Sequence, residues 1–175
     1  MKIYFKFVIL FFLLLSLILT TFFIGLENLA FNNVDWLLGG ADTSNSQNAW
    51  TFFKNDKWHF PLGKNPNYGL EISNSIIFSD SIPLFAFIFK IFKSFLSTNF
   101  QYFSLWIFIS IFLQLYFSFL LIKQKTNNYY YSLIGCIFFG LAPMFIHRVG
   151  IHLTLAGQWI ILSGFYIETL ETQKK

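Results

Sequence analysis

Long apolar blocks enclose one polar block along this chain. Residues 7–26 carry no charged side chain, and neither do residues 103–122 or 129–146. Runs of about 18 or more nearly uncharged apolar residues read as membrane spans. A fourth apolar run covers 153–170, with Gln158 and Trp159 near its start. Between the first two runs lies the polar block, and six of the chain's eight acids fall between Glu27 and Asp80. Residues 82–96 are apolar but short, and contain Lys90 and Lys93. The pattern predicts an all-α membrane protein, one membrane domain over 1–175. Its spans are expected near 7–26, 103–122, 129–146 and 153–170. A large first external loop over 27–81 carries short interfacial helices, and a further interfacial helix follows over 82–96.

Charge placement sets the orientation. Lys2 and Lys6 precede the first run, which exceeds a normal signal core and is followed by no convincing A-x-A cleavage site, so it reads as an uncleaved span. If 82–96 crossed the membrane, Lys123 and Lys125 would fall outside. If it lies in the interface, Lys2, Lys6, Lys123, Lys125, Lys174 and Lys175 all fall inside, as the positive-inside rule favours. Lys90 and Lys93 would then snorkel to the surface. This gives a multi-pass protein of the cell inner membrane with both termini cytoplasmic. Gln114, inside the second span, is expected to face protein, because an unpaired amide in lipid is costly.

Within the polar block, Gly39-Gly40 breaks any helix. Ser44-x-x-Gln47 fits a capping box, with a short helix to about Lys54. Ala49, Trp50 and Phe53 would share its apolar face. Trp36, Trp50 and Trp58 suit the headgroup region. Turns are expected at Pro61–Gly63 and around Asn65–Gly69, and Ser79-Asp80-Ser81-x-Pro83 reads as a helix start with Asp80 as its cap.

Composition adds little chemistry. The chain is 55% hydrophobic and 11% charged, too little polar surface for an ordinary soluble core. Phe occurs 26 times, and Lys far outnumbers Arg. These residues have AT-rich codons, which explains the aromatic load without a binding role. The net charge of +4 matters through its distribution and is no sign of nucleic-acid binding. Cys136 is the sole cysteine and is expected to be buried and inert.

Several strings carry a resemblance. Gly39-Gly40-Ala41-Asp42-Thr43, Trp50-Thr51-Phe52-Phe53, the run from Phe60 to Gly69 (FPLGKNPNYG) and Ser79-Asp80-Ser81-Ile82-Pro83 resemble an uncharacterised family of bacterial multi-pass proteins. Arg148-Val149-Gly150-Ile151-His152-Leu153, followed by Gln158-Trp159, looks like that family's second signature, with Gln158 where the pattern leads one to expect His. The family is similar in layout to the C superfamily of glycosyltransferases, which take a sugar from a polyprenyl-phosphate carrier. There the first external loop carries a catalytic acid, and a short loop after the third span completes the donor site. Full-length relatives are longer, so the resemblance implies an N-terminal fragment or truncated frame.

The resemblance implies a glycosyltransferase-like enzyme performing hexosyl or pentosyl transfer at the outer face, with membrane lipid and a polyprenyl-phosphate-linked sugar as partners. Asp42 is its candidate catalytic base, since sugar transfer needs a carboxylate to accept the acceptor's proton. The competing reading of Asp42 is a turn or helix cap. Arg148 would clamp a lipid phosphate or anchor the third span. His152 would bind substrate or cap the fourth span. Gln158, Tyr68 and Asp80 complete the substrate-binding set; for Tyr68 the bland alternative is loop shaping, and for Asp80 a helix cap. No D-x-D pair occurs, so a divalent metal has no motif to support it and the cofactor stays unknown. A non-catalytic membrane protein that binds or moves a lipid-linked or polysaccharide substrate remains the alternative.

Overall fold

The computed structural model describes residues 2–172, with side chains from Lys6 onward. Lys174 and Lys175 lie outside the described residues, as does the Lys2 side chain. The chain is mostly helical: α1 (Lys2–Ile24), α2 (Asp35–Leu38), α3 (Ala41–Asn55), α4 (Pro83–Ile91), α5 (Phe103–Thr126), α6 (Tyr129–Gly140), α7 (Pro143–Val149) and α8 (Trp159–Thr172). Two compact units result. One comprises residues 1–25, 105–150 and 155–175, and the other comprises 26–104 and 151–154.

The first unit holds the membrane-grade helices. Residues 6–24 and 103–126 are each long and apolar enough to cross a membrane. Along α1, Val8, Phe12, Ser16, Thr20 and Ile24 are buried at a spacing of four, a single helical stripe. The hydroxyls within it are satisfied locally: Ser16 Oγ donates to Phe12 O (2.6 Å) and Thr20 Oγ1 to Ser16 O (2.7 Å). Phe12 meets Phe119 of α5 edge-on at 5.5 Å. Small residues let α6 approach α5 closely, as is common between membrane helices. A Cβ at Gly135 would lie 2.4 Å from Ile122 Cδ1, and one at Gly140 2.6 Å from Leu115 Cδ2. Asn128 caps α6, its Oδ1 accepting from Tyr130 N and Tyr131 N. Gln114 is buried and its Nε2 reaches Phe139 O at 3.5 Å, so it faces protein as expected. Cys136 is buried and unbridged.

Two of the expected spans differ in detail. Where the third was expected, over 129–146, stand two helices, α6 and α7, bent by 50° to one another. Pro143 is the cause. It lacks an N–H and forces the preceding residue out of the helical region, and Ala142 is extended (φ −59°, ψ 129°). In place of the fourth, expected over 153–170, a 3₁₀ turn at Thr154–Ala156 precedes the helix α8, which begins at Trp159. His152 therefore does not cap it.

The second unit is a small folded body with its own core. Gly40, extended at φ −116° and ψ 146°, is the N-cap of α3, so the helix starts directly after the glycine pair. The expected capping box at Ser44 and Gln47 does not form. Ser44 Oγ instead donates back to Ala41 O (2.9 Å), and Gln47 is buried with Nε2 on Thr51 Oγ1. Thr43, Ser46, Trp50, Phe53 and Lys54 form the buried face of α3. Trp50 is fully buried and its Nε1 donates to Phe100 O (2.9 Å), so it is a core residue and not a headgroup anchor. Tyr102 packs edge-on to Trp50 (5.0 Å) and stacks on Phe89 (5.4 Å). A two-residue antiparallel ladder, β1 (Lys64–Asn65) and β2 (Asn74–Ser75), closes the intervening turn. Gly63 sits at φ +92°, where its carbonyl accepts from Ile76 N and Ser75 Oγ.

The helix expected over 82–96 stops at Ile91, and a 3₁₀ turn follows at Lys93–Phe95. Lys90 does not snorkel. It is 1% exposed, its ammonium 3.8 Å from the Phe53 ring centre and bonded to Lys57 O at 3.1 Å. Aromatic faces attract a desolvated cation, and the rings of Phe53 and Trp58 both lie against this one. Asp80 does not cap α4 either: the N-cap is Ile82, with no side-chain bond.

Two outcomes test this core. Trp50→Phe should lose about 1 kcal/mol through the missing bond to Phe100, and Trp50→Ala about 3–5 kcal/mol, both read by thermal unfolding in detergent. Burial lowers the Lys90 pKa to about 8, with Asp56 opposing and Lys93 reinforcing the shift. The unfolded chain then holds the lysine proton up to its ordinary value of 10.5, while the folded chain releases it first. Stability should rise with pH across that window and be lowest below it. Lys90→Met should flatten the rise.

Candidate functional site

Asp42 is the second residue of α3, immediately behind the turn that Gly39-Gly40 makes. Its side chain accepts no cap bond, and its place in the first helical turn suits a carboxylate electrostatically. Its Oδ2 lies 3.3 Å from His152 Nδ1, the two side chains being 52% and 36% exposed. These residues stand 110 positions apart in sequence, so the pairing is a product of the fold. In the neutral tautomer that carries its proton on Nδ1, Nε2 is left as an acceptor.

A second acid holds the same short segment. Asp80 has a left-handed backbone (φ 53°), and its Oδ1 accepts from Thr154 N at 2.9 Å. Its Oδ2 is buried without a hydrogen-bond partner among the described residues. The Asp80 turn is itself tied to α3. Ser81 Oγ donates to Ser46 O (2.8 Å), Ser46 Oγ donates to Asp42 O (2.9 Å), and Tyr102 OH donates to Ser81 O. Segment 151–154 is thus gripped at His152 by Asp42 and at Thr154 by Asp80, and the two acids are held in register through α3.

Tyr68 lies beside α3, one turn further along. Its hydroxyl bonds the Asn45 side chain, and its ring meets Phe52 at 5.7 Å. Partial burial raises its pKa. Arg148 and Gln158 belong to the membrane-helix unit. Arg148 is in the last turn of α7, half-buried, with no ion-pair partner among the described residues. Gln158 is half-buried just before α8, and the adjacent Trp159 stacks on Phe117 at 6.2 Å. Among the described residues, no three His, Cys, Asp or Glu side chains are grouped as a metal site.

Sequence reasoning missed the Asp56–His59 pair, joined at 2.9 Å. Desolvation pushes the Asp56 carboxyl up, but the bonds from Lys57 N and His59 outweigh it and the pKa is lowered. The spacing of three residues was the only available signal. Nothing in the sequence marked the bond from Thr154 N to Asp80.

What the fold and site define is a helical membrane-associated protein whose polar unit displays an exposed carboxylate–imidazole pair. Residues 13–175 match the model of a family described as a domain of unknown function, DUF6311, and the chain belongs to that family. No curated protein and no solved structure matches it.

Removing the Asp80 carboxylate should free the gripped segment. Hydrogen exchange at the Thr154 amide is expected to speed up about 10-fold or more in Asp80→Ala, since a bond to a charged acceptor contributes roughly 1.5–3 kcal/mol. Asp80→Asn, which keeps an acceptor oxygen, should recover most of the protection.

Proposed function

We propose that this protein is a glycosyltransferase-like membrane enzyme that moves a hexosyl or pentosyl group from a polyprenyl-phosphate carrier at the outer face of the inner membrane. In this reading α1, α5, the bent pair α6–α7 and α8 make four spans with both termini cytoplasmic. Residues 27–81 lie outside, and α4 rests in the interface. One observation carries the enzymatic reading: the Asp42–His152 pair, assembled from two distant parts of the chain and left open to solvent.

The chemistry asks for a base at the acceptor hydroxyl. The acceptor oxygen attacks the anomeric carbon, the anomeric C–O bond to the carrier phosphate breaks, and the carrier leaves as phosphate. The acceptor proton goes to Asp42 directly, or to His152 Nε2 with Asp42 steadying the imidazolium that forms. Arg148 comes four residues before His152 in the chain. Its planar fork of donors suits the departing phosphate. The second reading is a non-catalytic protein that docks a lipid-linked or polysaccharide substrate. It is favoured by the role both acids already play in fastening segment 151–154.

Sugar turnover separates the readings. The protein in lipid nanodiscs, supplied with polyprenyl-phosphate hexoses and pentoses, is expected to release sugar from at least one carrier. Asp42→Asn should lower that rate about 10²–10⁴-fold, the usual contribution of a positioned base. Unchanged turnover in Asp42→Asn removes Asp42 from the chemistry, and no turnover with any donor favours the docking protein.

A further inference from the structure

The buried face of α3 builds the core, and its opposite face is unspent. Asp42, Asn45, Asn48, Phe52 and Asn55 are all exposed, at spacings of three and four, so they form one stripe along the helix. The stripe starts at the Asp42–His152 pair. It ends in an open concavity of about 680 Å³ lined by Thr51, Phe52, Asn55, Asp56 and Asn67. With a rise of 1.5 Å per residue, the helix carries these two ends about 20 Å apart.

The lining selects a kind of ligand. Carboxamides and a hydroxyl dominate it, and each carboxamide offers two donors and an acceptor, as a pair of neighbouring sugar hydroxyls requires. Its one charge, Asp56, is already met by His59 and by Lys57 N. No Lys or Arg lines the concavity, so it does not suit an acidic or nucleic-acid chain. Phe52 is 46% exposed and its ring pairs with that of Tyr68, giving an apolar face for sugar C–H bonds. Gln47, 4% exposed, bonds the lining Thr51 Oγ1 through its Nε2. Its Oε1 is buried without a hydrogen-bond partner among the described residues.

From this arrangement we infer that the exposed stripe of α3 is a binding groove for a neutral oligosaccharide. The far end of the sugar chain rests in the concavity at Phe52, Asn55 and Asn67, and its near end reaches Asp42. The groove deepens the proposed sugar transfer by naming the acceptor as a glycan of several rings. That reading is needed only to say which end meets the base, and binding itself stands apart from turnover.

The test is binding of the full chain in nanodiscs to an array of neutral and acidic oligosaccharides, graded from one ring to eight. At least one neutral glycan of three or more rings should bind, with single sugars at least 10-fold weaker. Phe52→Ala and Asn55→Ala, both at exposed positions, should weaken that binding 10-fold or more at unchanged Tm. Binding is read with no sugar donor present, so it does not depend on turnover. Glycan binding by a protein that turns over no donor would therefore count against the catalytic reading alone. Binding that survives both groove variants, a preference for acidic glycans, or no binding by any member of the array overturns the groove.

Discussion

Tyr102 has no solvent contact, and its ring is held between Trp50, Phe85, Phe89 and Phe103 while its hydroxyl reaches the backbone at Ser81. This aromatic knot gathers α3, α4 and the start of α5 around one point. A segment with so many Asn, Ser and Gly residues has little apolar surface to bury, and no disulfide staples it. Large rings compensate, since each buries much area for few torsions. The hydrogen bond to Ser81 also fixes the turn that presents Asp80. The placement of the acids thus follows from the core beneath them.

Polarity at the site follows the same economy. Asp42 and Asp80 come from the polar segment, and each spends an oxygen on residues 151–154. A short linker between helices would otherwise sample many conformations. Held at two points, it presents one imidazole in one orientation. The exposed stripe of α3 is available for a ligand because the opposite face alone satisfies the core.

How much of this was legible in the sequence varies with the physical signal. Long uncharged runs are legible because lipid tolerates little else, and two such helices stand where the pattern put them. The break before Ala41 was legible from two adjacent glycines. Trp50 was misread because an amphipathic ring suits an interface and a core equally well, and only its contact with Phe100 decides. Lys90 was misread because a flexible stem was assumed free to extend, whereas Phe53 and Trp58 enclose the charge. Asp80 had the spacing of a cap, yet the left-handed turn at Ile82 turns the helix start away from it. At Asp42 and His152 the residue types were legible, but their contact needed the fold.

Two lysines of the polar unit are buried and a third is pinned at its surface. Lys54 donates to Ser97 O and Thr98 O, Lys90 to Lys57 O, and Lys93 to Asp56 O. Each ammonium is fastened to a neutral carbonyl dipole at short range. Attractions of that kind fade within a few ångströms and give dissolved ions little distance over which to intervene. The polar unit should therefore keep its shape from dilute buffer to brine.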